Sequence, residues 1–402
     1  MKRIYIFLKN LLFLFVVFSF FLLALELVFR VVRREDALKL SMGHPDFKYH
    51  HSLAPNSELH LVSSVPGEYD VTAHINNYGF RGSDISVEKK PGQKRIFIVG
   101  DSFVFGVGCN DGETVPVSVQ KILDPTVQSI QVINAGRGSY SPVTYYLRLR
   151  DEIPKFKPDL VIMMLDFSDL RDDWDRERNL VYDKAGNIVG ANPYYEYGKF
   201  KLWSFLRSKS VLCIYVHNKV VRTFDKLRKL GFHEYVQTII RGEKAKAVIA
   251  RTKENTINFD GRLFMRGEAK ADEIKQHFKR TAKYILMSRK LAQDANAKFI
   301  LVMYPYGTYV GPEQWGKGRA FWGFEQHKVD TDLFAFDLVQ KFSEENNIPF
   351  INLLNDFIHH NNQELFFPYD GHFTPAGNRV AAEALTNHPV FKQALNSFDQ
   401  ST

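Results

Sequence analysis

Nineteen consecutive positions near the start of the chain, Leu11 to Phe29 (LLFLFVVFSFFLLALELVF), are apolar except for Ser19 and Glu26. At 1.5 Å per residue, a helix of that length spans roughly 28 Å, close to the hydrocarbon thickness of a bilayer. The run is apolar on every face and bracketed by Lys2, Arg3 and Lys9 on one side and Arg30, Arg33 and Arg34 on the other. A buried core helix fits that pattern poorly. A cleaved signal peptide needs a shorter apolar run and a small-x-small site, and after Ala24 the chain reads Leu, Glu, Leu, Val, Phe, Arg. The pattern predicts an uncleaved single-pass anchor within residues 1–34. The flanking charges are balanced, so they do not set its orientation.

Residues 35–94 are polar and irregular, with turn signals at Asn76, Asn77, Gly79, Arg81 and Gly82, and predict an arm leading into the main domain. From residue 95 the pattern changes to short apolar runs: Arg95–Gly100, Ile130–Gly136, Asp159–Leu165, Lys298–Tyr304 and Pro349–Leu354. Runs this short and rich in Val, Ile and Leu match parallel strands covered on both faces. Helical patterns fill the intervals at Thr114–Leu123, Pro142–Ile153 (with Ser141 as N-cap), Asp330–Asn346 and Pro375–Asn387. Alternation of this kind predicts an α/β fold with a three-layer, flavodoxin-like parallel sheet over residues 95–390, followed by a tail at 391–402. The interval of about 175–296 is too long for one crossover. It is expected to be a helical insertion, with helices at Phe200–Leu230 and Lys270–Asn296. These helices either pack on the sheet with their Lys/Arg-rich faces solvated, or present a surface that rests on an anionic membrane or polysaccharide.

Composition supports a folded chain of 402 residues, 45% hydrophobic, 14% aromatic and 24% charged. Two cysteines, Cys109 and Cys213, exclude a disulfide scaffold and a Cys-rich zinc module. The net charge is +8, but residues 1–34 carry six basic residues against one acid. The rest of the chain is thus a weak case for nucleic-acid binding, and none is expected. Gly106-Val107-Gly108 does not continue as a dinucleotide fingerprint, and no phosphate loop occurs. The pairs His50-His51 and His359-His360 lack metal-ligand spacing. No metal and no cofactor are expected.

Four polar signals fall where the predicted strands end. Ser102, in Gly100-Asp101-Ser102, leaves the first strand, where open α/β sheets bind ligands. Gly136 closes the second, and its N–H could face a developing oxyanion. Asp166-Phe167-Ser168-Asp169 leaves the third. Asp370-Gly371-His372 precedes the last helix; His372 could act as base toward Ser102, with Asp370 fixing its tautomer. Each signal alone is weak, but all four can meet at one sheet edge.

Taken together, these blocks resemble the GDSL/SGNH hydrolase family over roughly residues 95–175 and 298–390. The resemblance implies an SGNH-type hydrolase acting on ester bonds. In it Ser102 is the nucleophile and an oxyanion donor, Gly136 a second donor, His372 the base and Asp370 its partner. The third block departs from the family's Gly-x-Asn-Asp, placing Ser168 where the Asn belongs. Either Ser168 substitutes, or another group such as Asn134 donates, or hydrolysis is weak, since one lost donor costs about 10²–10³ in rate. Asp166 and Asp169 are assigned no catalytic role, because an unpaired carboxylate there would oppose an oxyanion.

The one-residue spacing of Asp370 and His372 is similar to that in membrane-associated polysaccharide O-acetylesterases and O-acetyltransferases, although there the pair precedes the Ser. The Gly-rich stretch with Trp315, Phe321, Trp322 and Phe324 offers aromatic faces, and Trp315 and Trp322 are expected to bind sugar rings.

The expectation is therefore a membrane-anchored, extracytoplasmic serine esterase acting on acyl esters, with acetylated envelope or extracellular polysaccharide as substrate. Two alternatives stay open. One is an O-acetyltransferase partnered with a multi-spanning membrane acyltransferase. The other is a catalytically weakened binding or assembly protein.

Overall fold

In a computed structural model of the chain, the described residues are 2–32, 44–63, 65, 67–192, 210–213, 215–216, 220, 262–396 and 398. The chain divides into two units: Met1–Pro45 with Tyr194–Ile257, and Asp46–Pro193 with Asn258–Thr402.

The first unit contains helix α1, Lys2–Val32, whose stretch Tyr5–Val32 is long and apolar enough to cross a membrane. Glu26, the acid inside that stretch, is not left alone. It pairs with Arg30 one turn on, at 2.7 Å. Its carboxylate also accepts from the Ser210 hydroxyl (2.6 Å) and from the amides of Val211 and Leu212 (both 3.0 Å). Amides at a helix start have no intrahelical acceptor, so a carboxylate there satisfies both partners. Of the helix expected at Phe200–Leu230, residues 211–213, 215–216 and 220 are helical, Ser210 precedes them outside the helix, and the other residues lie outside the described ones.

The second unit is the α/β body. A hairpin, β1 (Ser57–Val62) and β2 (Asp70–Ile75), comes first. Five parallel strands follow: β3 (Lys94–Val99), β4 (Ile130–Asn134), β5 (Leu160–Leu165), β6 (Lys298–Met303) and β7 (Phe350–Asn352). Their order is β7-β6-β5-β3-β4, the flavodoxin-like order, with Ile96 beside Leu160 and Lys298 beside Leu160 across the central strand.

Alternation along each strand sends residues to opposite faces. Phe97, Val99, Val161, Met163, Leu301 and Met303 face one core, lined by helices α4 (Pro142–Phe156), α6 (Ala271–Asp294) and α7 (Phe334–Glu345). Ile96, Ile98, Ile162, Met164, Ile300 and Val302 face the other, lined by α3 (Val115–Leu123) and α8 (Pro375–Asn387). All six residues of β5 are buried. This is the expected three-layer fold.

Two segments differ from expectation. Helix α6 packs on the sheet, as one reading of these helices has it, but it leads directly into β6, so the Lys270–Asn296 part of the expected insertion is a crossover helix of the α/β body. The arm is not irregular throughout, because Leu59 and Leu61, opposite Ala73 and Val71, alternate inward with Ile75 and make a hairpin with its own small core. That two-residue period was short enough to be lost among polar neighbours.

Candidate active site

The sheet's carboxyl edge gathers the four signals. β3 ends at Val99, and Gly100-Asp101 turn the chain into the one-turn helix α2, Ser102–Phe105. Asp101 caps that turn, accepting from the Phe103 amide at 2.9 Å. Gly136, beyond β4, lies against the same turn: a Cβ there would stand 2.7 Å from the Val104 carbonyl carbon. Glycine is needed at 136 because backbone meets backbone.

The C-terminal loop comes from the other side. His372 Nε2 is 2.7 Å from Ser102 Oγ, and His372 Nδ1 hydrogen-bonds Asp370 Oδ1. Ser102, His372 and Asp370 are thus brought together in the expected order. About a fifth of the His372 and Asp370 side chains reaches solvent (21% and 23%). Burial pushes the Asp370 carboxyl up, but the charge of His372 and hydrogen bonds from His372 and Tyr69 outweigh it and hold the group at about 2. Burial lowers His372, and the Asp370 charge more than reverses that, leaving the imidazole above its usual value.

Behind Ser102 lies an aspartate-rich floor. Asp101 Oδ2 is 3.4 Å from Ser102 Oγ, and Tyr304 donates to Asp101 Oδ1 at 2.9 Å. Asp166 accepts from Tyr306 (2.8 Å) and from the amides of Ser168 (2.5 Å) and Asp169 (3.1 Å). Asp169 accepts from the Asp166 amide (3.0 Å). Asp101, Asp166, Asp169 and Asp173 are all buried. Burial, then the charge of Asp166 and a hydrogen bond with it, push Asp101 well above the usual carboxylate range. Burial and the neighbouring aspartates do the same to Asp169. Asp101 and Asp169 therefore favour their protonated forms, so the carboxyl beside the nucleophile is a hydrogen-bonded acid and not a negative charge.

The expected oxyanion donors are placed unequally. The Ser102 amide, at the first position of α2, has no intrahelical acceptor. The Gly136 amide donates to Asn134 Oδ1 at 3.1 Å, so it serves an oxyanion only when Asn134 turns away. The Ser168 hydroxyl donates to Asp172 at 3.2 Å, away from the nucleophile. The Asn134 amide is directed at the Phe105 carbonyl, 3.4 Å away.

The aromatic expectation needs correction. Trp315 is buried (6% exposed), and its indole N–H donates to the Tyr369 carbonyl at 3.3 Å. Its ring lies under Gly371, where a Cβ would clash with it. A ring enclosed in this way supports the Asp370–His372 loop and cannot stack on a sugar. The side chain of Trp322 lies outside the described residues; its backbone closes the short helix Arg319–Trp322. Among the described residues, no group of three His, Cys, Asp or Glu side chains could hold a metal ion.

Sequence reasoning missed Tyr69, Glu68, Tyr304 and Tyr306. Tyr69 donates to Asp370 Oδ2 at 2.9 Å, and Glu68 accepts from the amides of Tyr369 (2.7 Å) and Asp370 (3.0 Å). Some 300 positions separate these partners, and no local pattern links them.

Residues 258–400 match the model of the SGNH hydrolase-like domain of the acetyltransferase AlgX. That stretch carries Asp370 and His372 but not Ser102. No curated protein matches the chain. Among solved structures, the chain is similar to TesA (13% identity, 75% of this chain and 99% of that one, TM-score 0.35). It is also similar to the acetyl xylan esterase AlAXEase (15%, 72% and 96%, TM-score 0.34). A catalytic mutant of an acetylxylan esterase from Geobacillus stearothermophilus is comparably similar (12%, 74% and 95%, TM-score 0.34). At scores this low these likenesses decide nothing. Residues 258–400, the part of the α/β body that carries Asp370 and His372, match an SGNH hydrolase-like domain, and the strand order and the seating of His372 on Ser102 agree with that match.

Proposed function

We propose that the chain is a serine acyl-ester enzyme that acts on acetyl groups of envelope or extracellular polysaccharide. In this reading α1 holds it at a membrane, with the α/β body on the extracytoplasmic side. The observation that carries the chemistry is the 2.7 Å contact of His372 Nε2 with Ser102 Oγ, backed by Asp370.

His372 takes the Ser102 proton as Oγ attacks the ester carbonyl, and Asp370 stabilises the imidazolium that forms. The tetrahedral oxyanion is held by the Ser102 amide, joined by the Gly136 amide when Asn134 releases it. His372 then protonates the departing alkoxide, leaving an acyl group on Ser102. Water or a sugar hydroxyl, deprotonated by His372, attacks that acyl group and frees the serine.

The match to an acetyltransferase family favours a second reading, transfer to a sugar hydroxyl in place of hydrolysis. A transferase needs an acyl donor on its own side of the membrane, which a multi-spanning acyltransferase partner would supply.

The test is acetyl release from 4-nitrophenyl acetate by the full chain in detergent, wild type beside Ser102→Ala. Loss of about 10⁴–10⁶ in rate is expected. Equal rates in the two proteins would sink the serine mechanism and favour a binding or assembly role. Acetylated sugar products on adding xylo- or chito-oligosaccharide would mark the transferase.

A further inference from the structure

We propose that Glu68 and Tyr69, on the arm, are positioning residues of the catalytic loop: Tyr69 fixes the Asp370 carboxylate, and Glu68 pins the loop's backbone. This deepens the serine mechanism proposed above and rests on it.

The need for such support follows from the short Asp-x-His spacing. Only Gly371 separates the two residues, and it adopts φ +90°, a left-handed conformation that favours glycine. The His372 amide folds back toward Asp370 Oδ1, 3.3 Å away. That same oxygen takes the imidazole Nδ1–H. One carboxylate oxygen therefore serves both groups of His372, and the other, Oδ2, faces away from it. Rotation about the Cβ–Cγ bond would break the pairing unless Oδ2 is held. Tyr69 holds it, donating its hydroxyl at 2.9 Å. The Tyr69 ring is itself fixed, 5.1 Å from the Phe367 ring and close over Gly108, where a Cβ would stand 2.9 Å from it.

Glu68 acts on the backbone. Its Oε1 accepts from two successive amides, Tyr369 and Asp370, and its Oε2 takes the Ser63 hydroxyl at 2.5 Å. Both residues lie at the turn joining β1 to β2. The hairpin's inner side chains Leu59, Leu61, Ala73 and Ile75 pack with Phe105 and Val107, directly after Ser102. One hairpin therefore touches the element that carries the nucleophile and the loop that carries its base.

The charged groups facing His372 are Asp370, Asp166 from the floor and Glu68 from the arm. Their signs permit a test that does not depend on activity. In the full chain in detergent, with isotope-labelled histidine, the His372 imidazole is titrated by NMR and identified by its loss in His372→Gln. Tyr69→Phe frees Oδ2, so the carboxylate can rotate out of its pairing with the imidazole, and the midpoint is expected to fall toward the free value of about 6.5. If Tyr69 only shared the charge of a carboxylate already held by other contacts, the charge would fall more fully on the imidazole and the midpoint would rise.

Glu68→Gln keeps an acceptor for the two amides and loses the charge. It should lower the midpoint while retaining kcat on 4-nitrophenyl acetate. Glu68→Ala removes the acceptor and should cost about tenfold. An unmoved or raised midpoint in Tyr69→Phe, or Glu68→Gln as poor as Glu68→Ala, overturns the proposal. Activity surviving in Ser102→Ala would overturn the serine mechanism instead, and the Tyr69→Phe titration would still report on the clamp.

Discussion

The two aspartates that frame Ser102 are the same residue type held in opposite states by their surroundings. On the C-terminal loop, Asp370 faces His372, takes the Tyr69 hydroxyl and keeps about a fifth of its side chain in solvent. On the floor, Asp101 is buried beside Asp166 and has phenol and amide donors but no cation. One group is therefore an ionised acceptor and the other a proton holder. Environments that drive two titratable groups apart in this way assign their roles. Asp370 can stabilise an imidazolium. Asp101 can lie 3.4 Å from the nucleophile without opposing a negative charge that develops there.

The largest effect that would break this comparison comes from Asp370→Asn. It removes the charge that stabilises the imidazolium and disturbs the tautomer of His372, and it should lower kcat by about 10³–10⁴. A loss below tenfold on 4-nitrophenyl acetate would mean that Asp370 is not the partner. His372 must be neutral to accept the Ser102 proton. Its raised pKa therefore places the acid limb of kcat/KM above pH 6.5, with activity lost as pH falls through it. The limb should move down in Asp370→Asn, to the extent that residual activity allows it to be followed.

The same substitution at the other aspartate should do far less. Asparagine caps a helix as well as aspartate does, and Asp101→Asn keeps an acceptor for the Phe103 amide and the Tyr304 hydroxyl. Its amide also mimics the protonated acid. The expected loss in kcat is less than about tenfold, with little change in Tm. Asp101→Ala strands two buried donors, at about 1–3 kcal/mol each, and should lower Tm measurably. If Asp101→Asn were as inactive as Asp370→Asn, the floor carboxyl would be ionised and its assignment here wrong.

What the sequence made legible divides along the same line. The strands were readable because β3 to β7 are short apolar runs, of which β3, β5 and β6 are almost wholly buried. Ser102, Asp370 and His372 were readable because each sits at a strand end or before a helix, where such sheets place their ligands. Local pattern does not encode how groups share protons or which donors are already engaged. Gly136 and Ser168 were expected to face an oxyanion, yet their hydrogens go to Asn134 and Asp172. Trp315 looked like a sugar-binding face because it lies in a Gly-rich loop, and those glycines instead let the chain close over it. Glu68 and Tyr69 carry no motif, and only the folded hairpin brings them to Asp370.

The smallest effect concerns the far end of the floor and sharpens the comparison without touching catalysis. Asp173 accepts from the Val143 amide (2.9 Å) and the Thr281 hydroxyl (2.6 Å). Burial, only partly offset by those hydrogen bonds, pushes its carboxyl up to about 7. In the unfolded chain an aspartate titrates near 3.9. Between those values the folded state binds the extra proton, so the stability linked to this group is present below about pH 4 and is lost as pH rises through 7. Asp101 and Asp169 are shifted in the same direction. Asp173→Asn removes one proton-linked site, and Thr281 can turn to accept from the new amide. Its Tm should therefore gain on that of the wild type by about 2–5 °C between pH 5 and pH 8. A Tm difference independent of pH would show that Asp173 is ionised in the fold, and that the floor holds its protons only at Asp101 and Asp169.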